Sequence, residues 1–200
     1  MVKRVFDLVF ATLALVVLSP LLVSIAVMIK LDSPGPVLFR QTRVGRHGRT
    51  FRIVKFRSMR IDAPSTGPTL TVGADPRITR AGARLRARHL DELPQLANVI
   101  AGSMSMVGPR PELPHYVAQV NEPLKSRWLA VVPGLTDPVS LAFADEPLRL
   151  ARARDPEATY VNEILPAKVQ ASVAYAERAT FASDVRVLLR SIALLLVRRR

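Results

Sequence analysis

Between Val5 and Ile29 runs a stretch of 25 residues whose only charge is Asp7 and whose only helix breaker is Pro20. A straight helix of that length, rising about 1.5 Å per residue, would cross a hydrocarbon layer of about 30 Å. Ser19-Pro20 argues for a bend instead, because proline lacks the N–H and its ring collides with the preceding turn. Split there, the run becomes arms of 15 and 10 residues, roughly 22 and 15 Å long, and neither crosses alone. Lys3 and Arg4 precede the run, and Lys30 and Arg40 follow it. Positive charge at both ends favours keeping both on the cytoplasmic side. The expectation is a re-entrant membrane helix-break-helix over residues 1–32, hinged at Ser19 and Pro20, with residues 33–200 as a body on one face. A secretory signal fits poorly, since the run ends in Met28-Ile29-Lys30-Leu31-Asp32 with no small-residue cleavage site. A plain spanning helix is the rival, because membrane helices tolerate proline. Asp7 is expected to pair with Arg4 or Lys3, an unpaired charge in lipid being expensive.

The net charge of +13 over 200 residues requires anionic company. Between Arg40 and Leu90 there are 13 Lys or Arg residues against only Asp62 and Asp75. Anionic headgroups and phosphorylated substrates suit such a surface. Nucleic acid is disfavoured, since no recognition motif is present and the opening apolar run is unsuited to it. There is no cysteine, so neither disulfides nor a thiolate metal site arise. His47, His89 and His115 show no ligand spacing.

The remaining pattern is α+β and mostly helical. Short alternating segments, Val37 to Gln41 and Thr50 to Phe56, flank a turn at Gly45 to Gly48 and predict a small β-hairpin. Ala63 to Gly73 reads as a loop. Helical patterns follow over Tyr116 to Val120, Leu124 to Val131, Asp155 to Thr180 with an interruption near Pro166, and Ser183 to Val197. The last carries Val185, Leu188, Leu189, Ile192, Leu195 and Leu196 opposite Arg186 and Arg190, which suits a membrane interface or a core equally. Trp128 is either core or an interfacial anchor, and headgroup depth is the reading preferred here. Arg198 to Arg200 read as a solvated or lipid-facing tail.

The stretch from His89 to Glu112, HLDELPQLANVIAGSMSMVGPRPE, carries the chemistry. Leu93, Leu96, Ala97 and Ile100 predict a helix, Gly102 ends it, and Pro94 fits only in the first turn. Asp91 and Glu92 then sit at its mouth. Capping explains acids there. So does covalent catalysis, in which an ionised Asp91 attacks phosphorus while Glu92 holds a Mg2+ ion against the diphosphate. Two acids alone leave both readings open. Arg110, fixed between Pro109 and Pro111, and Arg86, five residues before Asp91, suit bidentate phosphate contact.

Taken with KRVFD at Lys3 to Asp7, Ser19-Pro20, PGPVLFRQTRVG, KFRSM, DPRITRAG, LDELPQLANV, MSMVGPRPE and VPGLTD, the chain resembles the bacterial sugar transferases, small monotopic polyprenyl-phosphate phosphoglycosyl transferases. That resemblance implies transfer of a sugar 1-phosphate from a nucleotide sugar, by likeness UDP-linked, to polyprenyl (undecaprenyl) phosphate at the cytoplasmic face of the bacterial inner membrane. It implies Asp91 as nucleophile through a covalent aspartyl phosphosugar, Glu92 as Mg2+ ligand, and Lys55, Arg57, Arg86, Arg110 and Glu112 as substrate contacts. UMP would leave, and the product would start an exopolysaccharide, capsule, O-antigen or glycoprotein glycan. Asp137-Pro138-Val139-Ser140 departs from the commoner pattern, which leaves the sugar and base contacts open. The sequence also leaves a homodimer open. The competing function is a basic membrane-associated protein that binds nucleic acid or anionic lipid without catalysis.

Overall fold

A computed structural model describes residues 2–63, 70–71, 73 and 75–197. Most of the loop expected over 63–73, and all of the tail Arg198 to Arg200, lie outside the described residues. The described chain is mostly helical, with two small two-stranded sheets.

Helix α1 (Val2–Asp32) runs as one helix of 31 residues through Pro20. The expected break at Ser19 and Pro20 is therefore not an interruption of the helix: both residues lie inside it. Local hydrogen bonding supplies the reason. Pro20 has no N–H for the Val16 carbonyl, and the Ser19 hydroxyl donates to that carbonyl at 2.7 Å. Ser24 donates back to the Pro20 carbonyl at 2.9 Å. One face of α1 buries Asp7, Ala11, Ile25 and Ile29. The opposite face leaves Val5, Val9, Leu13, Val16, Val17, Val23 and Val27 exposed.

Both ends of α1 are tied into the body. Asp7 does not pair with Arg4 or Lys3 as expected. Its carboxylate is buried and accepts from the Ser105 hydroxyl at 2.8 Å and the Met106 amide at 3.1 Å. Lys3 instead reaches Asp184 and the Val107 carbonyl, and Arg4 the Val99 and Ile100 carbonyls. The physical reason is that Lys3 and Arg4 are both taken by acceptors of the body, and the buried carboxylate is satisfied by the donors of the strand it packs against. At the far end, Asp32 accepts from the Ala81 amide at 3.1 Å.

Strands β1 (Leu38–Val44) and β2 (Thr50–Phe56) pair antiparallel in the expected hairpin, Leu38 opposite Phe56 and Val44 opposite Thr50. Helix α2 (Arg80–Ala87) follows, capped by the Thr79 side chain accepting from the Gly82 amide. A 3-10 turn over Leu90–Gln95 then leads into α3 (Leu96–Ala101), which Gly102 ends with φ +85. The tighter turn is where Pro94 can sit, since a 3-10 start asks less of the missing N–H than a regular helix interior.

Strand β3 (Ser105–Val107) pairs parallel with β4 (Gly134–Thr136). Their extension crosses closely: a Cβ on Gly108 would lie 2.6 Å from the Val132 carbonyl oxygen. Between them lie α4 (Pro114–Ala118) and α5 (Leu124–Trp128). The chain closes with α6 (Pro138–Ala142), α7 (Glu146–Arg152), α8 (Pro156–Thr159), α9 (Leu165–Arg178) and α10 (Phe181–Val197). A π turn over Tyr160–Ile164 joins α8 to α9, so the interruption expected near Pro166 is a widened turn just before it.

Among the described residues, three apolar clusters form the core. Trp128 lies in the largest, with Tyr116, Leu150, Tyr160, Ile164 and Val169. It is buried, which corrects its preferred placement at headgroup depth: α9 covers the ring, and burying a large aromatic in the core outweighs exposing it at a surface. The second cluster joins Ala11 of α1 to Leu96, Val99, Met104, Met106 and Leu188, and the third joins Ile25 and Ile29 to Phe56 and Leu85. Helix α1 is thus a wall of the core as well as an apolar surface. In α10, Leu188 and Ile192 pack on the body while Leu189 and Phe181 stay exposed.

Candidate active site

Asn98, on the inner side of α3, starts the construction. Its carbonyl oxygen accepts from the Val54 amide at 2.9 Å and its amide donates to the Arg52 carbonyl at 2.8 Å. A side-chain amide thereby takes the place of a neighbouring strand and pins α3 to the free edge of β2. This seats the 3-10 turn against β2, with Lys55 beside Glu92. The role of Asn98 was missed in sequence reasoning, although the residue stands inside the LDELPQLANV block.

Glu92 is the electrostatic centre. The Lys55 ammonium donates to its Oε1 at 2.8 Å. Arg110 clamps the same carboxylate from the other side, one terminal nitrogen on Oε1 and the other on Oε2 at 3.1 Å. Burial pushes the Glu92 carboxyl up, but the charges of Arg110 and Lys55 outweigh it and hold the group well below the usual carboxylate range. The Lys55 ammonium is itself pulled down by burial, with Glu92 opposing. Arg110 is pushed up, chiefly by Glu92.

Asp91 behaves oppositely. It is buried, at 8 % exposure. Burial and then the neighbouring Glu92 raise its pKa, while Lys55 and Arg86 oppose the rise. It is not an N-cap: His89 holds that place with φ +53 and no side-chain cap. Asp91 is therefore not the cap, although it and Glu92 do lie in the first turn as expected, and that turn is too short to keep it ionised through a long helix dipole. The neighbouring cations perform that task instead.

The other predicted residues divide. Arg86 lies in the last turn of α2, close enough for its charge to act on Asp91, and its guanidinium makes no hydrogen bond or ion pair among the described residues. Glu112 is buried, accepts from Tyr160 at 2.8 Å, and pairs with Arg43 at 3.3 Å. Arg43 and Tyr160 were not singled out from sequence; Arg43 stands in the PGPVLFRQTRVG block, and Tyr160 gave no signal beyond an aromatic on a helical face. Arg57 is not brought into the cluster. Its guanidinium donates to the Ser33 carbonyl at 2.8 Å and to the Pro34 carbonyl, clamping the loop after α1.

No group of three or more His, Cys, Asp or Glu side chains able to hold a metal occurs among the described residues. A Mg2+ ion nevertheless suits Glu92, which stays ionised and whose Oε2 takes a single hydrogen bond. Mg2+ commonly uses one or two carboxylates and draws its other ligands from phosphate oxygens and water.

The sequence profile of the bacterial sugar transferases matches residues 1–198. The chain belongs to the bacterial sugar transferase family. Among curated members of that family, it is 56% identical over 109 residues to the exopolysaccharide production protein PSS of Rhizobium leguminosarum bv. phaseoli, covering 54% of each chain. It is 39% identical over 201 residues to the UDP-glucose:undecaprenyl-phosphate glucose-1-phosphate transferase of Caulobacter vibrioides, covering 97% of this chain and 69% of that one. The transferase of the same name from Escherichia coli K12 is 45% identical over 138 residues, 68% of this chain and 30% of that protein. This bacterial sugar transferase therefore spans only part of the length of several relatives it matches.

Proposed function

We propose that this chain transfers a sugar 1-phosphate from a UDP-sugar to undecaprenyl phosphate, with Asp91 as nucleophile. The observation that carries the reading is the pairing of a buried Asp91 with a Glu92 gripped by Lys55 and Arg110, inside a family whose members are named for this reaction. Three cations around two adjacent acids form a receptor for a diphosphate, not a capped helix.

In the first step a carboxylate oxygen of Asp91 attacks the β-phosphorus of the donor. The bond from that phosphorus to the bridging oxygen breaks, and UMP leaves with the electron pair. Arg110, Lys55 and Arg86 hold the phosphoryl oxygens as charge moves onto the leaving group. In the second step an oxygen of undecaprenyl phosphate attacks the same phosphorus. The acyl phosphate bond breaks, the lipid diphosphate sugar departs, and Asp91 is free again. Mg2+ on Glu92 would supply charge neutralisation of the diphosphate. Raising the Asp91 pKa by burial makes its carboxylate more nucleophilic once ionised, and the cations keep enough of it ionised to react.

For the membrane, the reading is that α1 stays helical but bends at Ser19-Pro20, so that residues 1–32 enter one leaflet and return, leaving residues 33–200 on the cytoplasmic face of the inner membrane. The fastening of both ends of α1 to one body supports this, since a helix crossing straight through would put its ends on opposite sides. The exposed side of α10, with Leu189 and Phe181, would lie in the interface. The absence of cysteine makes a direct test simple. Val2→Cys and Leu31→Cys should both react with an impermeant maleimide from the cytoplasmic side alone; opposite sidedness overturns the topology.

For the reaction, membranes are incubated with labelled UDP-glucose and with labelled UDP-N-acetylgalactosamine. Lipid-linked label with release of UMP is expected from the wild type, and none from Asp91→Asn. Release of UDP instead would mean a conventional glycosyl transfer, and undiminished label in Asp91→Asn would remove the nucleophile. Binding of anionic lipid without turnover would favour the non-catalytic reading.

A further inference from the structure

The first two turns of α1 contact the body through three polar side chains, and all three reach segments that lead to the site. Arg4 donates to the carbonyls of Val99 and Ile100 at the end of α3. Lys3 donates to the Val107 carbonyl at 3.0 Å. Asp7, 3 % exposed, holds Ser105 and Met106 of β3. From β3 the chain passes through Gly108, whose amide donates to the Thr136 carbonyl at 3.0 Å, and Pro109, whose carbonyl accepts from Gly134 at 2.9 Å, into Arg110. Only three residues separate Met106 from Arg110, whose guanidinium clamps Glu92.

We infer that Asp7 is a positioning residue for Arg110: it fastens β3 to the membrane helix, and so sets where the Arg110 guanidinium stands against Glu92. A buried carboxylate in an otherwise apolar helix is a costly fastening, since it must be fully hydrogen-bonded to be tolerated. Apolar packing through Ala11 would hold the helix against the body but would not fix the register of β3. Two directed hydrogen bonds to adjacent residues of one strand do. The inference rests on the phosphotransferase reading for its catalytic consequence, while its structural half stands apart from it.

The test uses the full chain in lipid nanodiscs. Hydrogen exchange of the peptide covering residues 104–112 is compared for wild type, Asp7→Ala and Asp7→Asn. Asp7→Ala should speed exchange through Gly108 and Arg110, and Asp7→Asn, which keeps an acceptor for the Met106 amide, should recover most of the protection. Unchanged exchange in Asp7→Ala overturns the inference whether or not the protein transfers sugar. The second arm measures transfer from UDP-glucose and from UDP-N-acetylgalactosamine. Asp7→Ala should lower kcat/KM on the order of 10- to 100-fold with Arg110 present. In an Arg110→Ala background the same substitution should cost about twofold or less, because its effect passes through the residue already removed. Equal losses in both backgrounds overturn the inference. A wild type that releases no UMP overturns the reaction instead and leaves the exchange result to decide. If Asp7→Ala does not fold, Ser105→Ala removes one of the two bonds and carries the same expectations at smaller size.

Discussion

Arg110 and Glu92 stand 18 residues apart in sequence and meet through both guanidinium nitrogens on one carboxylate, with Lys55 completing the grip. The pair joins the 3-10 turn holding Asp91 to the proline-flanked segment after β3. Arg110→Ala would leave Glu92 with Lys55 alone in a mostly buried setting, at a cost of about 1–3 kcal/mol. Arg110→Lys keeps the charge but loses the fork. Denaturation midpoints should fall for Arg110→Ala and less for Arg110→Lys, while activity falls strongly for both, because only the fork matches two phosphoryl oxygens.

Asp91→Asn should separate stability from catalysis. The folded protein binds a proton at Asp91 more readily than the unfolded chain does, because burial and Glu92 raise its pKa. Such an acid loses folding stability as pH rises from its unfolded pKa through its folded one. At neutral pH the substitution should therefore leave the protein at least as stable, with transfer reduced by roughly 10³-fold or more. A clear drop in the unfolding midpoint would contradict the assigned burial of the charge.

The same raised pKa gives the pH dependence of the rate. Asp91 must be ionised to attack, so kcat/KM should decline on acidification at a pH above the ordinary range of an aspartate. Glu92 acts in the other direction on stability. Its pKa is depressed, so its contribution is present above the unfolded value and is lost only as pH falls through the folded one. An acid limb at an ordinary aspartate pKa would count against the buried environment of Asp91.

Tyr160 and Glu112 give a purely structural test. Tyr160→Phe removes the hydroxyl that donates to Glu112 at 2.8 Å and leaves a buried carboxylate oxygen without that donor. The expected loss is about 1–2 kcal/mol in unfolding free energy. UMP release should change far less than in any substitution at Asp91 or Arg110.

Ser19→Ala tests how α1 passes Pro20. The Ser19 hydroxyl serves the Val16 carbonyl that Pro20 cannot. Removing it in an apolar surrounding should cost about 1–2 kcal/mol and loosen the helix there, read as faster exchange across residues 16–24. Equal exchange in wild type and variant would mean that the hydroxyl is dispensable.

Much of this was legible from residues alone because it depends on local chemistry. The long apolar run, the hairpin around Gly45 to Gly48, the stop at Gly102 and the adjacency of Asp91 and Glu92 follow from side-chain type, period and backbone preference. Family membership was carried by ordered blocks across the chain. What pairs with what was not legible, because hydrogen-bond partners are selected by distance in space and not in sequence. Folding sent Asp7 to Ser105 and Met106 instead of to Lys3 or Arg4. It placed Arg57 on the carbonyls of the loop after α1, buried Trp128 under α9, and drew Arg43 and Tyr160 onto Glu112. The contrast between Asp91 and Glu92 was decided at the same level. The two are neighbours of the same chemical kind, and only tertiary packing put two cations on one carboxylate and burial with a like charge on the other.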